Sequence, residues 1–326
     1  MMFIGIDISK EKIDLSWLRD QLTNKIKTKV FKNKRQDFVT IEKWLLNTTK
    51  SAANELVITL EPTGVYHEAL MYFLYEQGFN IILANPGKAK KYADALNIIH
   101  KTDKSDATML AHYGCAKHAV VNYWQPEALA IRELKALIRR LDALESNRQR
   151  EANRLEASEF SNVSARVCQS IKVTIAFLDD EIKQLKSDID NHIDNEPDLK
   201  RNRKLLESIP GIGPVLSREL TYLFAAKKFN KAKEAAAYCG LIPRHNESGK
   251  LKGRTSISKL GPARIRCKLY MAAVVAGQWN KTIKRHKLTL INNGKTPMQA
   301  VCANMRKLIH ICFDVIKNQE AFKLQE

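Results

Sequence analysis

FIGIDISKEKIDLSW, residues 3–17, holds two short β-branched runs, Phe3–Ile8 and Ile13–Trp17. Runs of this kind read as strands. A basic third run, Lys25–Phe31, continues them as a meander. Further out, Asp37–Leu46 sets Phe38, Ile41, Trp44 and Leu45 at helical spacing. Leu56–Leu60 is a compact apolar strand that stops at Glu61-Pro62. Val65–Glu76 reads as a helix, and Ile81–Ala84 as a buried strand ended by Pro86. Thr102–Lys117 reads as a helix with Thr102 as its N-cap. The order βββαβαβα places residues 1–124 in the α/β class with a mixed sheet.

The pattern then changes. Leu134, Leu137, Leu141 and Leu144 step by three and four, as do Ile171, Ile175, Leu178, Ile182, Leu185 and Ile189. That is an a/d seam over two long helices within residues 125–199, with a turn at Ser158–Ser164. An antiparallel hairpin and an intermolecular coiled coil both satisfy it, because a seam does not name its partner. Residues 200–326 form a third, basic, mostly helical part. The expected architecture is therefore α/β followed by all-α.

The chain has 326 residues, 44% hydrophobic and 27% charged, which suits a globular protein of more than one domain. No stretch approaches the roughly 18 apolar residues of a membrane span. The first residues lack the order of a signal peptide, so a cytoplasmic protein is expected. The six cysteines form no C-x-x-C pair and no zinc-type cluster, which points to free thiols. The net charge of +19 is segregated. Residues 1–199 balance 28 basic against 28 acidic side chains, while residues 200–326 carry 26 against 7. A one-sided excess of this size is the footprint of a polyanion-binding domain.

Four acids stand out in the first part. Asp7 sits inside an apolar strand, and a lone buried carboxylate is costly unless it is paired or binds metal. Glu61 ends another apolar strand. Asp103 and Asp106 lie three apart on one helix face. Strand-borne and helix-borne acids can converge at one sheet edge, where divalent cations would neutralise them. Mg²⁺ prefers such carboxylate oxygens. Two ions about 3.5–4 Å apart can activate a nucleophile and stabilise a leaving oxygen in phosphoryl transfer. Singly, each acid also reads as a turn or helix-terminal charge.

Two features stand out in the basic part. In IPGIGP, Gly211 and Gly213 resemble the turn of a helix-hairpin-helix, whose backbone approaches phosphate without reading sequence. Asn246-Glu247-Ser248-Gly249 is a turn signature that exposes Ser248. Arg244, Lys250, Lys252, Arg254, Lys259, Arg264 and Arg266 surround it with positive charge, as candidate nucleic-acid contacts. A serine so placed could attack a phosphodiester if activated. Composition alone leaves Ser256 and Ser258 equally available, and an ordinary turn serine is the simpler reading.

The ordered motifs FIGIDISK, LEPTGVYHEAL, NPGKAKKYADAL, KTDKSDATMLA, LLESIPGIGPVLS and GLIPRHNESGKLKGRTSISKLGPARIR cover nearly the whole chain. In them the chain resembles the insertion-sequence transposases with a DEDD tetrad, relatives of the Piv invertase and of bridge-RNA-guided recombinases. The resemblance implies an RNase H-like (RuvC-like) catalytic domain over 1–124, coiled-coil helices over 125–199 and a transposase domain over 200–326. It maps the tetrad to Asp7, Glu61, Asp103 and Asp106, with Mg²⁺ as cofactor, two ions per site. It maps the nucleophilic serine to Ser248, the serine of the SG pair after GLxPR. Where the family has Leu-Arg, this chain has Ile265-Arg266, a conservative change. The implied partners are donor and target double-stranded DNA, a structured bridge RNA and further copies of the chain, as dimers assembling to a tetramer with composite sites.

Other readings of the residues remain at this point. A RuvC-like endonuclease would need the tetrad but not Ser248. A non-catalytic nucleic-acid-binding protein would need neither. An actin-like sugar kinase also opens on a GIDIS-like strand, yet the chain lacks its further glycine-rich phosphate loops.

Overall fold

The computed structural model describes residues 1–20, 23–62, 64–96, 102–161, 164–244, 247–248, 251–252 and 255–323. The chain divides into two compact units, Met1–Pro126 and Glu127–Glu326.

The first unit is built on strands β1 (Met2–Ile8), β2 (Lys12–Asp20) and β3 (Lys25–Lys32). Helix α1 (Arg35–Thr49), strand β4 (Leu56–Leu60), helix α2 (Glu68–Glu76) and strand β5 (Asn80–Leu83) follow. Helices α3 (Pro86–Ala95) and α4 (Asp103–Lys117) close it. The sheet order is β3-β2-β1-β4-β5. β1, β2 and β3 pair antiparallel, whereas β4 lies parallel to β1 and β5 parallel to β4. The mixed α/β sheet expected from the strand runs is thus present.

Two elements differ from expectation. Helix α3 was not anticipated, because only Ala89 of its residues is buried and its apolar stripe, Ala89, Tyr92 and Ala93, is short. Its signal is capping chemistry. Asn85 accepts from the Lys88 amide and Pro86 takes the first helical position, where its missing N–H costs nothing. Helix α2 begins at Glu68 rather than Val65. Gly64, at φ +58°, holds the preceding turn in the left-handed region.

Alternation along the strands sorts the two faces of the sheet. Ile4, Ile6 and Ile8 of β1, with Ile13 and Leu15 of β2, pack with Phe38, Ile41 and Leu45 of α1 and Leu70 and Leu74 of α2. Phe3, Leu18, Val57 and Ile82 pack on the opposite face with Met109, Leu110 and Tyr113 of α4. Gly5 lies on that face. A Cβ there would sit 1.9 Å from the Ala107 carbonyl and 2.3 Å from the Ala111 amide. Helix α4 therefore lies flush on β1. The outer strand β3 is largely exposed and carries Lys25, Lys27, Lys29 and Lys32.

The second unit opens with two long helices, α5 (Leu129–Phe160) and α6 (Ala165–Asn195). They pack on each other within one chain, as a hairpin whose seam buries Leu134, Ile138, Leu141 and Leu144 against Leu178, Ile182, Ile189 and Ile193. Towards the tip the seam opens. Ile171 and Ile175 are only half-buried, Phe177 is exposed, and Phe160 is 94% exposed. Helices α7 (Pro197–Glu207), α8 (Pro214–Ala226) and α9 (Ala232–Tyr238) come next. Four two-residue strands follow: β6 (Pro243–Arg244), β7 (Glu247–Ser248), β8 (Leu251–Lys252) and β9 (Ser256–Ile257). Helices α10 (Ala263–Trp279), α11 (Lys281–Asn292) and α12 (Pro297–Asn318) share one core with α7 to α9.

Substituting Gly5→Ala forces α4 off the sheet. The expected loss of stability is about 3 kcal/mol, at the upper end of ordinary overpacking. Denaturant unfolding at the wild-type midpoint would contradict this packing.

Candidate functional site

Alternation places Asp7 on the face that α4 covers, at the end of β1. Asp14 of β2 is its direct cross-strand partner and is only 7% exposed. Thr102 caps α4. Its hydroxyl accepts from the Ser105 amide, and the Ser105 hydroxyl accepts from the Thr102 amide. Asp103 and Asp106 therefore occupy the first turn of α4, where the helix dipole favours negative charge. In the β1–β4 register Leu60 pairs with Ile6. Glu61, the next residue, leaves the sheet at the same end as Asp7.

The electrostatics register the crowding. Asp7 is pushed up from 3.8 to about 6, first by burial and then by the charges of Asp106, Asp103 and Asp14. Lys12 answers that charge. Its Nζ pairs with Asp14 at 3.3 Å and also with Asp103. Those two bonds raise the lysine above its ordinary value.

The structure thus brings Asp7, Asp103 and Asp106 within electrostatic reach of one another. It adds Asp14 and Lys12, which the sequence reading missed. The available signal was the meander itself, since a tight turn from Ser9 to Lys12 puts residue 14 opposite residue 7. Among the described residues, no group of three or more Asp, Glu, His or Cys side chains is arranged to hold a metal ion. The donor chemistry nonetheless fits Mg²⁺: the acids are hard oxygen ligands, and the charges of Asp106, Asp103 and Asp14 add to burial in raising Asp7.

In the second unit the candidates divide. Gly211, at φ +104°, would place a Cβ 2.6 Å from that of Ala276, so α10 fills the space its side chain would need. Gly213 precedes α8 and faces open space. Beside this turn runs an open apolar groove of about 730 Å³, lined by Ile212, Val215, Met271 and Val275 among others. Arg264 pairs with Asp142 of α5 and, at 2.8 Å, with the buried Glu219 of α8. Lys268 reaches the same two acids at 3.5 and 2.7 Å. Arg266 donates to the Gly261 carbonyl at 2.9 Å. The guanidinium groups of Arg264 and Arg266 are therefore engaged within the fold, whereas Arg244 and Lys259 are exposed.

Ser248 lies in β7, which pairs with β8 in a small hairpin, Ser248 opposite Leu251 and Glu247 opposite Lys252. Lys250 and Arg254 fall outside the described residues. Of the competing serines, Ser256 is exposed, and the Ser258 hydroxyl is buried without a hydrogen-bond partner among the described residues. All six cysteines are free.

Residues 4–158 match the family model of DEDD transposases, and residues 203–287 match the model described as Transposase IS116/IS110/IS902 family. The chain belongs to this transposase family. Two of its relatives are pilin gene-inverting proteins, one of Moraxella lacunata and one of Moraxella bovis. Each is 31% identical over 327 residues, covering 98% of this chain and 97% of its own. Membership in the transposase family implies DNA recombinase activity and DNA substrates. No helix among the described residues is long and apolar enough to cross a membrane.

The folded protein holds a proton on Asp7 more tightly than the unfolded chain does. The penalty for ionising it is therefore absent below about pH 4, grows between 4 and 6, and is complete above 6. In chelator-containing buffer at pH 7.5, Asp7→Asn should be more stable than wild type by roughly 1 kcal/mol after allowance for solvent screening. Denaturant unfolding should show this gain shrinking as pH falls from 6 to 4. Arg264→Ala leaves Glu219 short of a partner and should cost about 3 kcal/mol by the same measurement. Arg244→Ala should leave stability unchanged.

Proposed function

We propose that this protein is a transposase that cuts and rejoins DNA through a phosphoserine intermediate, guided by a structured bridge RNA. The observation that carries the reading is the gathering of carboxylates at one end of β1, with Asp7 pushed up to about 6 first by burial and then by its acidic neighbours. Asp7, Glu61, Asp103 and Asp106 are the tetrad, carried on an RNase H-like, RuvC-like sheet. They would hold Mg²⁺, as two ions, which when bound supply the charge that neutralises the attacking and leaving oxygens of phosphoryl transfer.

Ser248 is the nucleophile. Its Oγ forms a bond to the scissile phosphorus and gives up its proton, which ends on the leaving oxygen. The phosphorus–oxygen bond to one DNA end breaks, and that end leaves as a free hydroxyl. The other end stays linked to the serine, so the bond energy is kept for rejoining. Attack by a hydroxyl of the partner strand reverses the step and frees Ser248. Inversion, the activity in the name of the Moraxella relatives, needs the same cutting and rejoining within one DNA molecule.

Three functional parts serve this reaction: a catalytic domain over 1–124, coiled-coil helices over 125–199 and a basic transposase domain over 200–326. The open apolar tip of the α5–α6 hairpin supports assembly of dimers into a tetramer. Composite sites, with acids from one protomer and serine from another, would then join parts that lie far apart in the chain. Exposed Arg244 and Lys259, with Lys250, Lys252 and Arg254 of the same segment, would contact phosphates without reading bases, as would the turn at Gly211 and Gly213. Arg264 and Arg266 would support that surface from behind. Base pairing to the RNA would carry the choice of site. A protein that acts so works in the cytoplasm.

Covalent trapping on a competent DNA–RNA substrate tests the reading. Wild type should form a protein–DNA adduct, and Ser248→Ala should form none. Hydrolytic nicking without any adduct would instead establish an endonuclease. Asp103→Ala should reduce recombination at least about 1,000-fold, the order lost with a principal stabiliser of transition-state charge, while leaving DNA binding nearly intact. Recombination at the wild-type rate would overturn the tetrad assignment.

A further inference from the structure

Lys12 stands among the acids, and the reaction described above makes no use of it. It opens β2 after a turn tied at both ends. The Ser9 amide donates to the Lys12 carbonyl at 2.9 Å, and the Lys12 amide to the Ser9 hydroxyl at 3.2 Å. From that fixed base, Nζ bridges Asp14 on the sheet and Asp103 on α4. Asp14 lies directly across from Asp7, is almost fully buried, and adds to the charge that raises Asp7. The Lys12 side chain is 46% exposed, so its ammonium group can leave Asp103 without unpacking anything.

We propose that Lys12 is a tethered counter-ion of the metal site. It neutralises Asp103 before a divalent cation binds, and Asp14 retains it afterwards. The inference rests on the assignment of Asp103 as a metal ligand. A lysine ammonium is a compact point charge on a flexible stem, suited to moving between two nearby carboxylates. A divalent ion competes for the same Asp103 oxygens with twice the charge, and like charges at contact distance repel. Binding the ion therefore displaces the lysine. Asp14 gives the displaced ammonium a partner within reach of its stem, and the lysine in turn compensates a buried carboxylate that would otherwise be costly. Asp14 thus acts as a positioning residue for Lys12. The arrangement lets the acidic cluster fold before metal binds and tunes how tightly the metal is held.

The test is Mn²⁺ binding to the full-length protein, followed by calorimetry and by loss of the free-ion paramagnetic signal, with Mg²⁺ as competitor. Circular dichroism checks that each variant folds. Lys12→Gln should bind Mn²⁺ about two- to five-fold tighter than wild type, the range expected when a half-exposed ion pair ceases to compete. Asp14→Asn leaves the lysine only Asp103 and should bind more weakly than wild type. Asp103→Asn should lose most of the binding. If Asp103→Asn loses binding but Lys12→Gln matches or falls below wild type, the ligand assignment stands and the counter-ion role is overturned. If neither wild type nor Lys12→Gln binds Mn²⁺ in an Asp103-dependent way, both fail. Lys12→Gln changes an exposed side chain and decides the matter even if Asp14→Asn does not fold.

Discussion

The absence of a side chain at Gly5 is the constraint on which the first unit turns. It lets the backbone of α4 rest against β1, where even a methyl group would overlap Ala107 and Ala111. Gly114 repeats the device one strand over, since a Cβ there would sit 2.1 Å from the Thr59 hydroxyl. With the helix pinned at these points, its capped first turn comes to lie by the end of β1. The hydroxyl groups of Ser16 and Thr108, 3.0 Å apart, add a polar tie between the sheet and the same helix. Asp103 and Asp106 then come within electrostatic reach of Asp7, and the repulsion among these acids is offset by hydrophobic burial on both sheet faces.

Much of this was legible in the sequence because it is local. The β-branched runs marked four strands of the sheet, and the basic run Lys25–Phe31 marked the fifth. Thr102 announced the start of α4 by its capping chemistry alone. The features that escaped depend on which segments meet. Asp14 looks like any strand acid until the β1–β2 register sets it opposite Asp7. The seam of α5 and α6 named six of its buried positions, missed Ile138 and Ile193, and did not name its partner, because an apolar stripe is satisfied equally by another chain. Helix α3 escaped for another reason: the face it packs, Ala89, Tyr92 and Ala93, is short and made of small or part-polar side chains, so the periodicity by which buried helices are read is weak.

The second unit shows why a run of positive charge does not translate directly into a binding surface. Along GPARIRCKLY the cations alternate with apolar residues, and the helix turns them inward. Arg264 finds Asp142, which lies 122 residues away in sequence and is invisible to any local reading. Glu219, 2% exposed, would be prohibitive without the two cations that meet it. The basic excess of the segment therefore has two uses. Part of it holds α5, α8 and α10 together, and the remainder, including Arg244 and Lys259, is left facing solvent.

The outer strand β3 has a further effect, on solubility. An edge strand presents unpaired backbone groups that invite strands from other molecules. Here that edge bears lysines along most of its length, so a second copy approaching edge to edge would meet like charge against like charge. A polyanion meets no such barrier. The same row of ammonium groups that keeps newly made chains from stacking into fibres leaves the sheet open to company of the opposite sign.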